Sequence, residues 1–186
     1  TTEIYTLSLH DALPISPHPV PDDMKWQIAA RMVSALPLMY DLCFRGVVGE
    51  EYDRLEQQIW ISMAGEAAKV AESFSLPTGN AEELVQTLDH VSTIFFGPEM
   101  RSERVRISPE RSVLVMKRCP FEMPATMMRM EGEHLFHRCM AFSIAAVEAM
   151  NPDYTLRFVR SMCMGDGHCE MKVMKVEEAR EMDRAR

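Results

Sequence analysis

The sequence predicts an α+β fold: N-terminal helices, a β-hairpin, a further helix and a second hairpin, with the helices packed on a small antiparallel sheet. Three observations lead there. Apolar residues recur at helical spacing from Met24 to about Phe96. Two later stretches alternate with period 2, each folded back on itself by a turn-forming segment. Between them, "GEHLFHRCMAFSIAAVEAM" returns to helical spacing.

The elements follow in order. From Met24 to Phe44 the stripe Trp26, Ile28, Ala29, Met32, Val33, Leu36, Met39 and Tyr40 is the expected core face. Pro37 removes a backbone hydrogen bond and is expected to kink or split this helix. The next helix presents Tyr52, Leu55, Ile59, Trp60, Met63, Ala67, Val70 and Phe74, with an acidic first turn that suits the helix dipole. "LPTGN" ends it, and Asn80 with Glu83 three residues on forms a capping box for "AEELVQTLDHVSTIFF". "RVRIS" and "SVLVMKRC" are the first hairpin, turned by "SPER" with Pro109 at the second turn position. "NPDY" stops the last long helix. "YTLRFVRSMC" and "CEMKVMKV" then flank the loop "MGDGH" in the second hairpin.

The opening residues stand apart. "TTEIYTLSLHDALPI" fits neither helical nor strand periodicity and has no basic n-region of a signal peptide. It resembles, without a gap from Thr1 to Ile15, the in-frame translation of a common short-read sequencing adapter. Residues 1–16 are therefore read as a non-native scar, with the gene cut at a contig edge. Residues 17–23 are read as a Pro-rich linker, 24–176 as one α+β domain and 177–186 as a charged tail.

Charge narrows the partners. The chain carries 20 basic and 28 acidic residues, and dropping Glu3 and Asp11 leaves 20 against 26. No basic run occurs, which argues against nucleic acid and against an anionic membrane surface. No apolar stretch approaches the ~18 residues of a membrane span. Five cysteines without an export signal point to a reducing, cytoplasmic setting, in which thiols serve as ligands or nucleophiles. The absence of G-x-S-x-G, P-loop and dinucleotide fingerprints removes several large enzyme classes. A small-molecule ligand or substrate is the expected partner, with a homo-oligomer left open.

The chemistry concentrates in Cys119, Cys139, Cys163 and Cys169. At 100° per residue, Cys139 shares a narrow stripe with Leu135, Phe142, Ala146 and Met150 and points at the core. His134 and His137 fall on the opposite face, so "HLFHRC" cannot present its histidines and its cysteine to one ion. Cys163 and Cys169 flank the second hairpin loop and are expected opposite each other, at the separation of a disulfide, a shared metal or two thiols lining one pocket. Cys169, Met171 and Val173 share the inward strand face. Cys119 ends the first hairpin. The four thiols converge only if both hairpins join one sheet and the Cys139 helix covers it; zinc or iron is the metal they would take. Cys43 is read as plain core. Asp166 either satisfies its own turn or stands at the pocket edge as a base. Arg157 and Arg160 either bind a substrate carboxylate or pair with surface acids.

"SMCMGDGHCEMKV" carries a C-x-G-D-x-x-C pattern ahead of an alternating strand. It resembles the C-terminal signature of the family named for L-2-amino-thiazoline-4-carboxylic acid hydrolase. It is also similar to the end of the 4-vinyl-reductase domains, small-molecule-binding modules related to a vesicle-tethering fold. The literal match is Cys163, Gly165, Asp166 and Cys169. The wider likeness runs from about Val47 to Val173 through element order, with "RCP" and "FGPE" as softer echoes. The first resemblance implies water attack on a cyclic amidine and ring opening; the second implies ligand sensing or cofactor handling.

The leading expectation is a hydrolase of a small heterocyclic amidine or amide. Cys163 or Cys169 would be nucleophile or ligand, and Asp166 the orienting base. Cys119 and Cys139 would line the pocket, and Arg160 and His168 would lower a thiol pKa. The alternative is a non-catalytic ligand- or metal-binding domain. A third option is a stable domain whose partners simply bind its surface.

Overall fold

The computed structural model describes residues 20–184, so the expected scar and residues 17–19 of the expected linker lie outside the described residues. Helix α1 (Asp22–Val48) starts within that linker, with Asp22 and Asp23 in its first turn, where the helix dipole favours acids. It runs through Pro37 without a break. Its buried side is not the expected one. Ala30, Ser34, Leu38 and Asp41 are buried, whereas Trp26, Ile28, Met32, Met39 and Tyr40 are 40–55% exposed. Small residues decide this. A Cβ placed on Gly97 would come within 2.5 Å of the Ala30 Cβ, so the close contact at the end of the third helix selects the small face of α1.

Helix α2 (Glu51–Ser73) repeats the pattern. Trp60 and Ala67 are buried as expected, together with Ala64 and Ala71, but Leu55, Ile59 and Phe74 are exposed. The alanine stripe permits close approach to α5 (Gly132–Met150), the helix with which α2 makes its most extensive contact. Helix α3 (Ala81–Phe96) is capped as its sequence specifies. Asn80 Oδ1 accepts from the Glu83 amide at 3.1 Å, and Glu83 Oε2 accepts from the Gly79 amide at 2.7 Å. Such a cap stabilises by about 1 kcal/mol.

Strands β1 (Arg101–Ser108), β2 (Arg111–Arg118), β3 (Tyr154–Arg160) and β4 (Cys169–Lys175) form one antiparallel sheet in the order β1-β2-β4-β3. Both hairpins therefore join one sheet, through β2 and β4. Alternation along β4 turns Cys169, Met171 and Val173 inward, as the sequence requires. Register then sets one row across the sheet: Leu114 faces Met171, and Met171 faces Phe158. Met116 faces Cys169 in the next row.

Two further helices complete the described residues. Helix α4 (Glu122–Met128), which the expected order lacks, follows β2. The charged tail is helix α6 (Val176–Arg184), docked through the buried Ala179 and through the ion pairs Arg111–Glu178 and Arg157–Asp183. The core is aromatic at its centre. Phe96 lies 5.2 Å from both Phe121 and Phe142, and Trp60 meets Phe121 edge-on at 5.9 Å. Among the described residues no helix is long and apolar enough to cross a membrane.

Candidate functional site

Between the inner sheet face and the helices lies a cavity of about 70 Å³. The sheet supplies Leu114, Met116, Met171 and Phe158 as its floor. Helices α2, α3 and α5 supply Trp60, Leu88, Phe96, Leu135 and Phe142. Cys119, Cys139, Cys163 and Cys169 all stand on its wall, and all are free thiols. The volume is about half the ~150 Å³ of an engineered apolar cavity that holds benzene.

The route by which the thiols meet differs from the sequence expectation. Cys163 is not a strand residue facing Cys169. Strand β3 ends at Arg160 after a bulge, and Cys163 sits in a single 3₁₀ turn, Met162–Met164. Helix α5 holds that turn in place through its first residue. A Cβ on Gly132 would fall 1.7 Å from the Cys163 carbonyl oxygen, so only glycine allows the contact. The turn is closed from its other side, where Cys169 Sγ accepts from the Met162 amide at 3.3 Å.

These surroundings separate the thiols electrically. A hydrogen bond from Cys139 lowers the Cys163 thiol to about 7, against the cost of burial, with help from the Ser161 hydroxyl. The same hydrogen bond drives the Cys139 thiol up, and burial adds to it. Burial pushes Cys119 up to about 12 and raises Cys169 as well. Of the four, Cys163 is the thiol drawn toward ionisation, and the other three are held back from it.

The expected helpers of that thiol are elsewhere. Arg160 is exposed and pairs with Glu170 at 3.7 Å, and neither it nor His168 lines the cavity. Cys163 is lowered by neutral hydrogen-bond donors rather than by a neighbouring cation. Asp166 is exposed, and its Oδ2 accepts from the Ser161 amide at 2.8 Å, so it closes its own turn outside the cavity. Arg157 pairs with Asp183. His137 is exposed and His134 half-buried. Cys43 is exposed, not core, because it lies on the outward side of α1. Among the described residues no group of three or more His, Cys, Asp and Glu side chains is arranged to hold a metal ion, so the zinc or iron reading finds no ligand set.

Among the described residues, the one charged side chain on the cavity wall is Arg138, only 3% exposed and not anticipated from the sequence. It bonds through Nη2 to Asp41 of α1, and its Nε lies 2.8 Å from Glu56 of α2. Asp41 also receives Arg45, which reaches on to Asp53. Burial alone would raise the Asp41 carboxyl, but the Arg45 hydrogen bond and the Arg138 and Arg45 charges hold it below its ordinary value. Burial raises Glu56 despite Arg138. Arg138 Nη1 has no hydrogen-bond partner. The available signal was position: Arg138 lies three residues after Leu135 and four before Phe142, which places it on the buried face of α5.

The sequence matches no protein-family model, and no curated protein matches it. Solved structures give distant likenesses. One is the phenol-responsive sensory domain of the transcription activator PoxR with phenol, at 12% identity and a TM-score of 0.48, covering 80% of this chain and 75% of that one. Another is trafficking protein particle complex subunit 3 from Naegleria fowleri, covalently bound to palmitic acid. It also shows 12% identity and a TM-score of 0.48, over 82% of this chain and 95% of that one.

Proposed function

We propose that this chain is a small-molecule-binding module whose ligand enters the cavity between sheet and helices. The observation that carries the reading is Arg138, a buried guanidinium on an otherwise uncharged wall with a donor left unmatched. An unmade hydrogen bond at a buried donor costs about 1–3 kcal/mol, which a ligand acceptor would recover. The ligand group is a neutral oxygen rather than an anion, because Asp41 and Glu56 already face the guanidinium. The compound is thus small, mainly apolar and carries one carbonyl or hydroxyl.

Trp60 lines the cavity and reports its occupancy. Titration with a series of neutral ketones and alcohols of about three to five heavy atoms should change Trp60 emission and raise Tm, because a ligand of the native state stabilises it by mass action. Ser143→Leu, which fills the cavity from α5, should abolish both responses while keeping the fold. If no compound in the series shifts either signal, or if the filled variant binds as well, the proposal fails.

A hydrolase is the second reading, favoured by the Cys163 thiol at about 7. In its support a thiolate at neutral pH is a competent nucleophile. Against it, no histidine, aspartate or glutamate among the described residues lines the cavity to act as a base. Turnover of a thiazoline carboxylate by the wild-type protein, lost in Cys163→Ser, would support this reading; turnover that survives Cys163→Ser and Cys169→Ser would remove it.

A further inference from the structure

Outside the cavity, α1 and α2 present an apolar face that none of the described residues covers. From Met32 to Val48, α1 extends about 25 Å, and its only charged side chains are Asp41 and Arg45. Both are turned inward, paired with each other, and Arg45 is paired with Asp53 as well. Nearly five turns of helix therefore carry no charge free to face water. Phe44 is 51% and Val47 85% exposed. Between the two helices runs an open groove of about 530 Å³, walled by Val33, Leu36, Tyr40, Phe44 and Ile59.

We infer that this face is the interface of a homodimer, in which the α1 ridge of each copy packs along the α1–α2 groove of the other. Area supports this. The exposed side chains on this face, Val33, Leu36, Tyr40, Phe44, Val47 and Ile59 among them, are 39–85% exposed and leave on the order of 700 Å² of apolar surface open. The largest apolar patch of an ordinary monomer is about 300–600 Å², whereas each partner in a standard interface contributes about 800 Å². Spacing supports it too. Val33, Leu36, Tyr40, Phe44 and Val47 recur every three or four residues, the seam by which one helix packs against another. A two-fold pairing makes the same surface both ridge and groove, so a second copy suffices to cover it. A lipid surface fits less well, since a membrane-seeking helix needs a Lys- and Arg-rich polar rim and the chain has a net charge of −8. The inference does not depend on what the cavity binds.

Sedimentation equilibrium of the full chain tests it. Between about 1 and 100 µM the wild-type protein should show twice its 21.3 kDa chain mass. Phe44→Glu with Val47→Glu should be monomeric, its dissociation constant raised at least about 100-fold, with helicity unchanged because both positions are exposed. Val105→Glu on the exposed edge strand β1 should remain dimeric. A wild-type monomer throughout that range overturns the inference, whether the face proves to be free or covered by a different protein. So does a dimer that survives the double substitution, or one that the β1 charge dissociates.

Discussion

At the scale of single residues, the buried cluster of Asp41, Glu56 and Arg138 sets the behaviour with pH. Removing one partner from a buried ion pair leaves an uncompensated charge, so Asp41→Asn should cost about 3–5 kcal/mol at neutral pH in urea denaturation. Asp41 is held below its ordinary value of 3.8 in the folded state. Its contribution is therefore present above that value and is lost as pH falls through the lower folded value; Asp41→Asn should flatten that acid limb. Glu56 works in the opposite sense. Its raised carboxyl makes the charged form costly when folded, and this cost is relieved as pH falls through the raised value. Glu56→Gln should accordingly destabilise less than Asp41→Asn. Cys163 gives a second test. Its alkylation by iodoacetamide should show a rate midpoint near pH 7, and Cys139→Ala should move that midpoint upward because the thiol hydrogen bond is gone. A midpoint unmoved by Cys139→Ala would show that the two thiols do not share a hydrogen bond.

At the scale of elements, close approach of backbone decides more than propensity does. Gly132 lies within α5, where alanine is ordinarily the better helix former, yet its Cβ would overlap the Cys163 carbonyl. Gly132→Ala should therefore destabilise by about 1–3 kcal/mol and loosen the 3₁₀ turn, which the Cys163 alkylation profile would register. Gly46 in α1 is the control. Nothing lies within 4 Å of its added Cβ, so Gly46→Ala should stabilise by about 0.5–1 kcal/mol in the same assay. Equal effects from the two substitutions would mean that the α5 contact with Cys163 is not tight. The sequence made several elements legible at this scale: the Asn80–Glu83 cap, both hairpins, and the inward face of β4 with Cys169, Met171 and Val173. It did not make α4 legible, since seven residues with one buried alanine leave almost no period to read.

At the scale of the whole molecule, the same chain offers two apolar surfaces, one between sheet and helices and one on the outer face of α1 and α2. If the outer one pairs with its copy, thermal stability must depend on protein concentration. The Tm should rise with concentration for the wild type and stay constant for Phe44→Glu with Val47→Glu, a comparison that scanning calorimetry makes directly. The sequence by itself determined the α+β class, the inward face of β4 and the pairing of each hairpin, because these depend on local period and turn chemistry. Only the tertiary structure decided which stripe of α1 and α2 is buried. Both helices carry more apolar residues than one face can hold, and the small side that fits Gly97 and α5 went inward. It likewise brought Arg138 to Asp41 and Glu56, and four thiols to one cavity wall. Such meetings join side chains from elements far apart in the chain, and no periodicity within one element encodes the distance between two.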